Sequence, residues 1–144
     1  MRLPLVTHSR PARPGLVGGI IAAARRSGRS GVAGDGANRW PATHSLDVAT
    51  LLRLVLERGD TGRRWHAIAE EGIPVRAIAE RIGERLEIPV ATIPDEQLQQ
   101  HFGFVGDLIG SDVPAASRIT REELDWTPAG PTLLDDLAAD DFFR

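Results

Sequence analysis

The chain has 144 residues, 42% apolar and 26% charged, with a formal net charge of −3, which are the proportions of an ordinary globular protein with one core. The absence of cysteine excludes disulfides, thiolate metal sites and cysteine nucleophiles, and all 17 basic residues are arginine, with neither lysine nor tyrosine present. No run approaches the roughly 18 apolar residues of a membrane span, and Pro4 and His8 interrupt the short apolar N-terminus, so no signal peptide is expected and the location expected is cytoplasmic.

Arginine in place of lysine, with abundant Ala, Gly and Pro, suggests a GC-rich bacterial genome. Charge is uneven: residues 1–64 carry 11 Arg against 4 acids, and residues 65–144 carry 6 Arg against 16 acids. A basic half can serve nucleic acid or phosphate. The arginines are spread over several elements, however, and pairing of the two halves across an interface is the simpler expectation.

In chain order, strands and helices alternate. Arg2 to His8 reads as extended, followed by the loop Ser9 to Gly15. Leu16 to Arg26 reads as a helix, with Leu16, Ile20 and Ala23 or Ala24 at helical spacing and Ser27-Gly28 as its stop. Ser30 to Ala33 is a short strand entering the turn Gly34-Asp35-Gly36. An extended run then ends at His44, and a helix begins near Asp47, capped by Ser45 and stopped by Gly59. Its stripe is Val48, Leu51, Leu52 and Val55.

Arg64 to Ala69 is a strand candidate. Pro74 suits a first helical turn, and Val75, Ile78, Ala79, Ile82 and Leu86 give the cleanest helical period in the chain. Pro89 to Ile93 reads as a strand, and Pro94 or Asp95 opens a helix to about His101. Gly103 to Gly110 is broken by glycine and ambiguous. Thr120-Arg121-Glu122-Glu123 reads as a capping box, and Thr132 to Asp136 starts a last short helix before the acidic tail.

The block Gly34 to Ala49, written GDGANRWPATHSLDVA, closely resembles a segment of extended and atypical short-chain dehydrogenases/reductases, the NAD-dependent epimerase/dehydratase superfamily. That segment follows the cofactor domain and walls the substrate pocket. Arg2-Leu3-Pro4 with His8 resembles the family's "RLPPTVHG" strand and loop beside the nicotinamide, although Val6-Thr7 reverses its Thr-Val and Ser9 replaces its Gly. Trp65-His66-Ala67, Glu70 to Pro74 and the 75–86 helix match the elements that follow. Glu122 to Pro128 resembles the closing "LGWxP" phrase. Each motif alone is weak; their order and spacing cover nearly the whole chain.

The resemblance implies an α/β chain equivalent to the C-terminal part of an NAD(P)-binding Rossmann-type fold, without the N-terminal dinucleotide-binding half. Residues 1–144 are then a single partial domain: 1–44 the end of the Rossmann sheet and pocket loop, 45–144 the substrate-binding α/β portion. The family's Tyr-x-x-x-Lys acid/base pair is missing, as is a Gly-rich phosphate loop between strand and helix. No catalytic residue is therefore expected, and the chain alone is expected to be inactive and to hold no tightly bound cofactor. In a full-length relative, NAD or NADP would exchange hydride with a small molecule bearing a hydroxyl. The "RWPxxH" block points to the atypical oxidoreductase branch.

By resemblance, Pro4, Leu5 and His8 are cofactor-side residues, and Arg39, Trp40 and His44 are substrate-side residues. Alternatives remain beside each. Arg39 either clamps a phosphate or carboxylate or is an ion-paired surface arginine. Trp40 either walls the pocket or is core, and core is favoured. His44 and Asp47 form either a structural or a catalytic pair, the structural one being favoured, and His8 has no visible partner. His66 and His101 lack metal-ligand company, and no metal is expected.

Two other function classes compete. Ile73 to Gly83 has the look of the first helix of a helix-turn-helix, but Pro89 cuts off a basic recognition helix, so no nucleic-acid or membrane partner is expected. A non-catalytic interaction or remnant protein is the second. A half sheet leaves an edge unpaired and apolar faces uncovered, so the isolated chain is expected to be marginal, self-associating or partner-dependent.

Overall fold

A computed structural model describes residues 1–10, 15–58 and 62–143; the loop positions Pro11 to Pro14 and the helix stop at Gly59 lie outside the described residues. The order is β1 (Val6–His8), α1 (Leu16–Ser27), β2 (Ser30–Ala33), β3 (Arg39–His44), α2 (Ser45–Arg58), β4 (Glu70–Pro74), α3 (Val75–Leu86), β5 (Val90–Ile93), α4 (Leu98–Phe102), α5 (Arg118–Leu124) and α6 (Leu133–Ala138). Single 3₁₀ turns precede and follow α4, and another spans Asp140–Phe143.

Two small sheets organise this mixed α/β fold. In the first, β3 is central: β1 pairs with it in parallel, His8 opposite His44, and β4 pairs with it antiparallel, Trp40 opposite Ile73. The register shifts between Trp40 and Ala42, where Pro41 has no N–H to give the ladder. The second sheet is the parallel pair β2–β5, Ser30 opposite Val90.

Local chemistry explains most of these elements. Helix α1 buries Val17, Ile20, Ile21, Ala23 and Ala24 and stops at Gly28, whose φ of 69° is left-handed. Helix α3 buries Val75, Ile78, Ala79 and Ile82, with Leu86 packed at its edge. These faces meet β3 and α6 in a core centred on Trp40, Ile78, Ile82, Leu133 and Leu137. A second cluster joins α2 to Trp65, Leu124 and Trp126.

Several expectations need correction. Helix α2 starts at Ser45, two residues early, because the His44 ring takes the capping role: its Nδ1 accepts from Leu46 N–H at 3.2 Å. Its buried face carries Leu51 and Leu54, and Leu52 is exposed. Arg64 to Ala69 is not a strand. Its N–H groups go elsewhere one by one, His66 to Thr120 Oγ1 and Ala69 to Thr43 Oγ1, with a single bridge between His66 and Arg2. Strand β4 lies in Glu-Glu-Gly-Ile-Pro, which has little strand propensity; pairing with β3 imposes it. Thr120 sits inside α5, so its capping box does not form. The reciprocal capping box is at α6, between Thr132 and Asp135.

Candidate functional site: a cleft beside β1

The roomiest cavity described is an open cleft of about 620 Å³ along β1 and the start of α1, with Pro4, Leu5, Ser9, Leu16, Phe104 and Phe142 among its walls. Strand β1 brings the edge of the sheet here, and Gly15 to Gly18 bring the α1 backbone close. The cofactor-side trio Pro4, Leu5 and His8 thus meets on one surface. The substrate-side trio does not join it. Arg39, half exposed at the start of β3, makes a paired contact with Asp112, Nη2 to Oδ2 at 3.1 Å. Trp40 is wholly buried and donates its indole N–H to Ser111 O at 3.1 Å. His44 faces the interior, while its neighbour Ser45 lines the cleft.

Behind the cleft lies a polar cluster that the sequence does not announce. His8 is buried, and its Nδ1 is 2.7 Å from Asp136 Oδ2. Its Nε2 faces Glu70 Oε2 at 3.7 Å, an ion-pair distance beyond hydrogen-bond range. His44 Nε2 is 3.7 Å from the same Asp136 oxygen, and the two imidazoles stand edge to face with centroids 5.3 Å apart. Burial disfavours a charge on His8, but Glu70 and Asp136 outweigh it, and the net effect holds its pKa above the usual 6.5.

His8 therefore has a partner that its sequence setting hid. The anticipated His44–Asp47 pair is replaced by two separate contacts. His44 turns to Asp136, while buried Asp47 accepts the N–H groups of Ala129 and Gly130 at 2.9 and 3.0 Å. Asp136 and Glu70 were missed. A histidine ending a predicted strand needs a hydrogen-bond partner once buried, and the acidic start of the last helix was the available signal.

Elsewhere, basic and acidic halves meet in ion pairs: Arg10 with Asp136, Arg39 with Asp112, and Arg63 with Glu123. Helix α3 runs into β5, with no second helix between them. Among the described residues no group of three or more His, Asp or Glu side chains is arranged to hold a metal ion, and no helix is long and apolar enough to cross a membrane.

No family model matches the chain. It is 41% identical over 99% of its length to the uncharacterized protein C2A9.02 of Schizosaccharomyces pombe, and 43% identical over 96% of its length to the uncharacterized protein YLL056C of Saccharomyces cerevisiae. It covers 48% and 46% of those proteins, so it spans about half the length of the curated relatives it matches. Both are from yeasts, and they lend no support to the bacterial origin suggested by composition.

Among solved structures, 99% of the chain superposes on 41% of an epimerase from Methanothermobacter thermautotrophicus with a TM-score of 0.72 and 17% identity. A further 95% coverage, onto 40% of the dTDP-glucose 4,6-dehydratase DesIV of Streptomyces venezuelae, gives 0.69 at 20% identity; that structure has NAD bound. The chain shares its fold with that two-fifths portion of each of these two enzymes.

Proposed function

We propose that this chain is the substrate-side, C-terminal portion of an NAD(P)-dependent oxidoreductase or epimerase of the short-chain dehydrogenase/reductase type. The observation that carries the reading is the near-complete superposition of this chain on about two fifths of such enzymes, together with the convergence of Pro4, Leu5 and His8 on one cleft.

The cleft suits one end of the cofactor. Its walls combine Leu3, Pro4, Leu5, Leu16 and Phe142 with a few hydroxyl groups, and no arginine is among the described residues lining it. That chemistry accepts a flat, weakly polar ring. Pro4 and Leu5 would hold the ring by apolar contact, and the His8 backbone would border it. When bound, NAD(P) supplies the hydride acceptor or donor. Of the three residues assigned to the substrate side by resemblance, Arg39 is exposed and would meet a charged group on the substrate by exchanging Asp112 for it, whereas Trp40 and His44 are buried and would act only as packing around it. With no Tyr or Lys in the chain, the proton-transfer groups come from outside it.

The test joins this chain behind the preceding half of the Saccharomyces cerevisiae relative and follows NADH and NADPH absorbance with hydroxylated substrates. Reduction of cofactor by the chimera, and none by this chain alone, is the expected result. A chimera that unfolds cooperatively yet takes up neither NAD nor NADP overturns the reading.

One observation favours a second reading, an interaction protein. Strand β1 has β3 on one side and no ladder partner on the other among the described residues, and Leu3 and Phe104 stand exposed on the cleft rim. Self-association through that edge predicts a concentration-dependent mass in sedimentation; a clean monomer removes it.

A further inference from the structure

Asp136 is fully buried in α6, and three side chains converge on it. Its Oδ2 takes His8 Nδ1 at 2.7 Å and faces His44 Nε2 at 3.7 Å. Its Oδ1 makes no directed hydrogen bond but lies 3.1 Å from Arg10 Nε. His8 and Arg10 flank Ser9, and Ser9 lines the cleft. One carboxylate thus grips both neighbours of a cleft residue, one through each oxygen.

The grip falls where the sheet lets go. The β1–β3 ladder ends at the pair His8–His44, so Ser9 and Arg10 lie beyond its hydrogen bonds. Arg10 reaches on to Asp141 at 3.7 Å, and the next residue, Phe142, forms another wall of the same cleft. The segment carrying Asp136, Asp141 and Phe142 therefore shapes the cleft lip although it is the last part of the chain described.

We propose that Asp136 is the positioning residue of the cleft: by holding His8 and Arg10 it sets the course of Ser9 and with it the geometry of the subsite walled by Pro4, Leu5 and Phe142. The proposal deepens the reading of this cleft as a cofactor-facing site and rests on it for its functional meaning. Charge balance supports it. A buried carboxylate without a cation is costly, and Asp136 has two cations available, Arg10 and protonated His8. The other charged or titratable groups facing His8 are Glu70 from β4 and His44 from β3. His44 Nδ1 is taken by Leu46 N–H, which leaves its Nε2 to face Asp136.

The test is nuclear magnetic resonance on the full chain, following the four imidazoles and the backbone amides of Ser9 and Gly15 to Gly18 from about pH 5 to about pH 9. In the wild type the Ser9 amide is expected to titrate together with the His8 ring. Asp136→Asn should lower the His8 midpoint and displace the Ser9 and Gly18 amides, and Asp136→Glu should restore part of both. Arg10→Gln, at a partly exposed site, should displace the Ser9 amide and leave the His8 midpoint nearly unchanged. If Asp136→Asn fails to fold, the wild type and Arg10→Gln decide alone. A Ser9 amide that ignores both His8 titration and Arg10→Gln overturns the proposal. No cofactor enters the measurement, so its failure is distinguishable from failure of the NAD(P) reading, which the chimera tests.

Discussion

His8 and His101 occupy one small fold in opposite surroundings. His8 lies between two carboxylates, which overcome its burial and raise its pKa. His101, in α4, is also partly shielded; burial lowers its pKa, and the nearby charges, Arg29 and Arg26, lower it further. Its Nε2 is buried without a hydrogen-bond partner. The same side chain is thus held towards its charged form beside the cleft and towards its neutral form at the far end of α1. The lesson is that the neighbours supplied by the fold, more than burial alone, determine what each histidine does.

The largest expected effect breaks the His8 side of the comparison. Asp136→Ala leaves His8 and Arg10 without their shared carboxylate, and removing one partner of a buried pair costs about 3–5 kcal/mol. Urea unfolding reads it directly; a loss well below that range would mean that the cluster is wet and the pairing weak. Next comes Gly31→Ala on the His101 side. A Cβ there would lie 2.7 Å from Ile93 Cγ1, 2.8 Å from His101 Nε2 and 2.8 Å from Phe102 Cζ. Overpacking of this kind costs about 1–3 kcal/mol, and the same urea experiment checks it. A neutral result would show that α4 yields without cost and that His101 is not held against β2.

How much of this was legible beforehand follows from distance along the chain. Helices α1 and α3 and strands β2, β3 and β5 were readable because their signals are local: apolar residues at helical spacing, Gly28 as a left-handed stop, and Gly34 and Gly36 around a tight turn. Strand β4 was not, since Glu-Glu-Gly-Ile-Pro becomes a strand only against β3. In the site, Pro4, Leu5 and His8 were named together through the family resemblance of the Arg2 to His8 segment, which is local in sequence. Asp136 was hidden because it lies 128 residues from the ring it holds, and a pair of aspartates opening a short helix reads as ordinary macrodipole complementarity. The partners of Asp47, Ala129 and Gly130, were hidden for the same reason.

The two histidines also predict a stability maximum in pH. For His8 the folded pKa is raised above 6.5, so its contribution is fully present below 6.5 and fades as pH rises through the folded value. For His101 the folded pKa is lowered from 6.5, so as pH falls below 6.5 the unfolded chain takes up the proton first and stability declines. Thermal midpoints across pH should therefore fall on both sides of neutrality. His8→Gln should flatten the alkaline limb and His101→Gln the acid one. An alkaline limb that survives His8→Gln unchanged would remove the paired-carboxylate account of His8.

The smallest effect is expected at Arg39 and Asp112, and it separates stability from binding. The pair lies in solvent, with each side chain about half exposed, where screening and side-chain entropy consume most of the attraction. The Arg39 guanidinium holds the Asp112 carboxyl below its usual 3.8, so the pair persists through neutral pH and is lost only as strong acid protonates Asp112. Arg39→Met should leave the thermal midpoint within experimental error at neutral pH. In the chimera with the upstream half, however, the same substitution should weaken an anionic substrate by raising its KM, because the guanidinium is the charged group at the head of β3. Equal KM values for Arg39→Met and the parent would return Arg39 to the surface as a partner of Asp112 and would leave recognition of the substrate's charge to other residues.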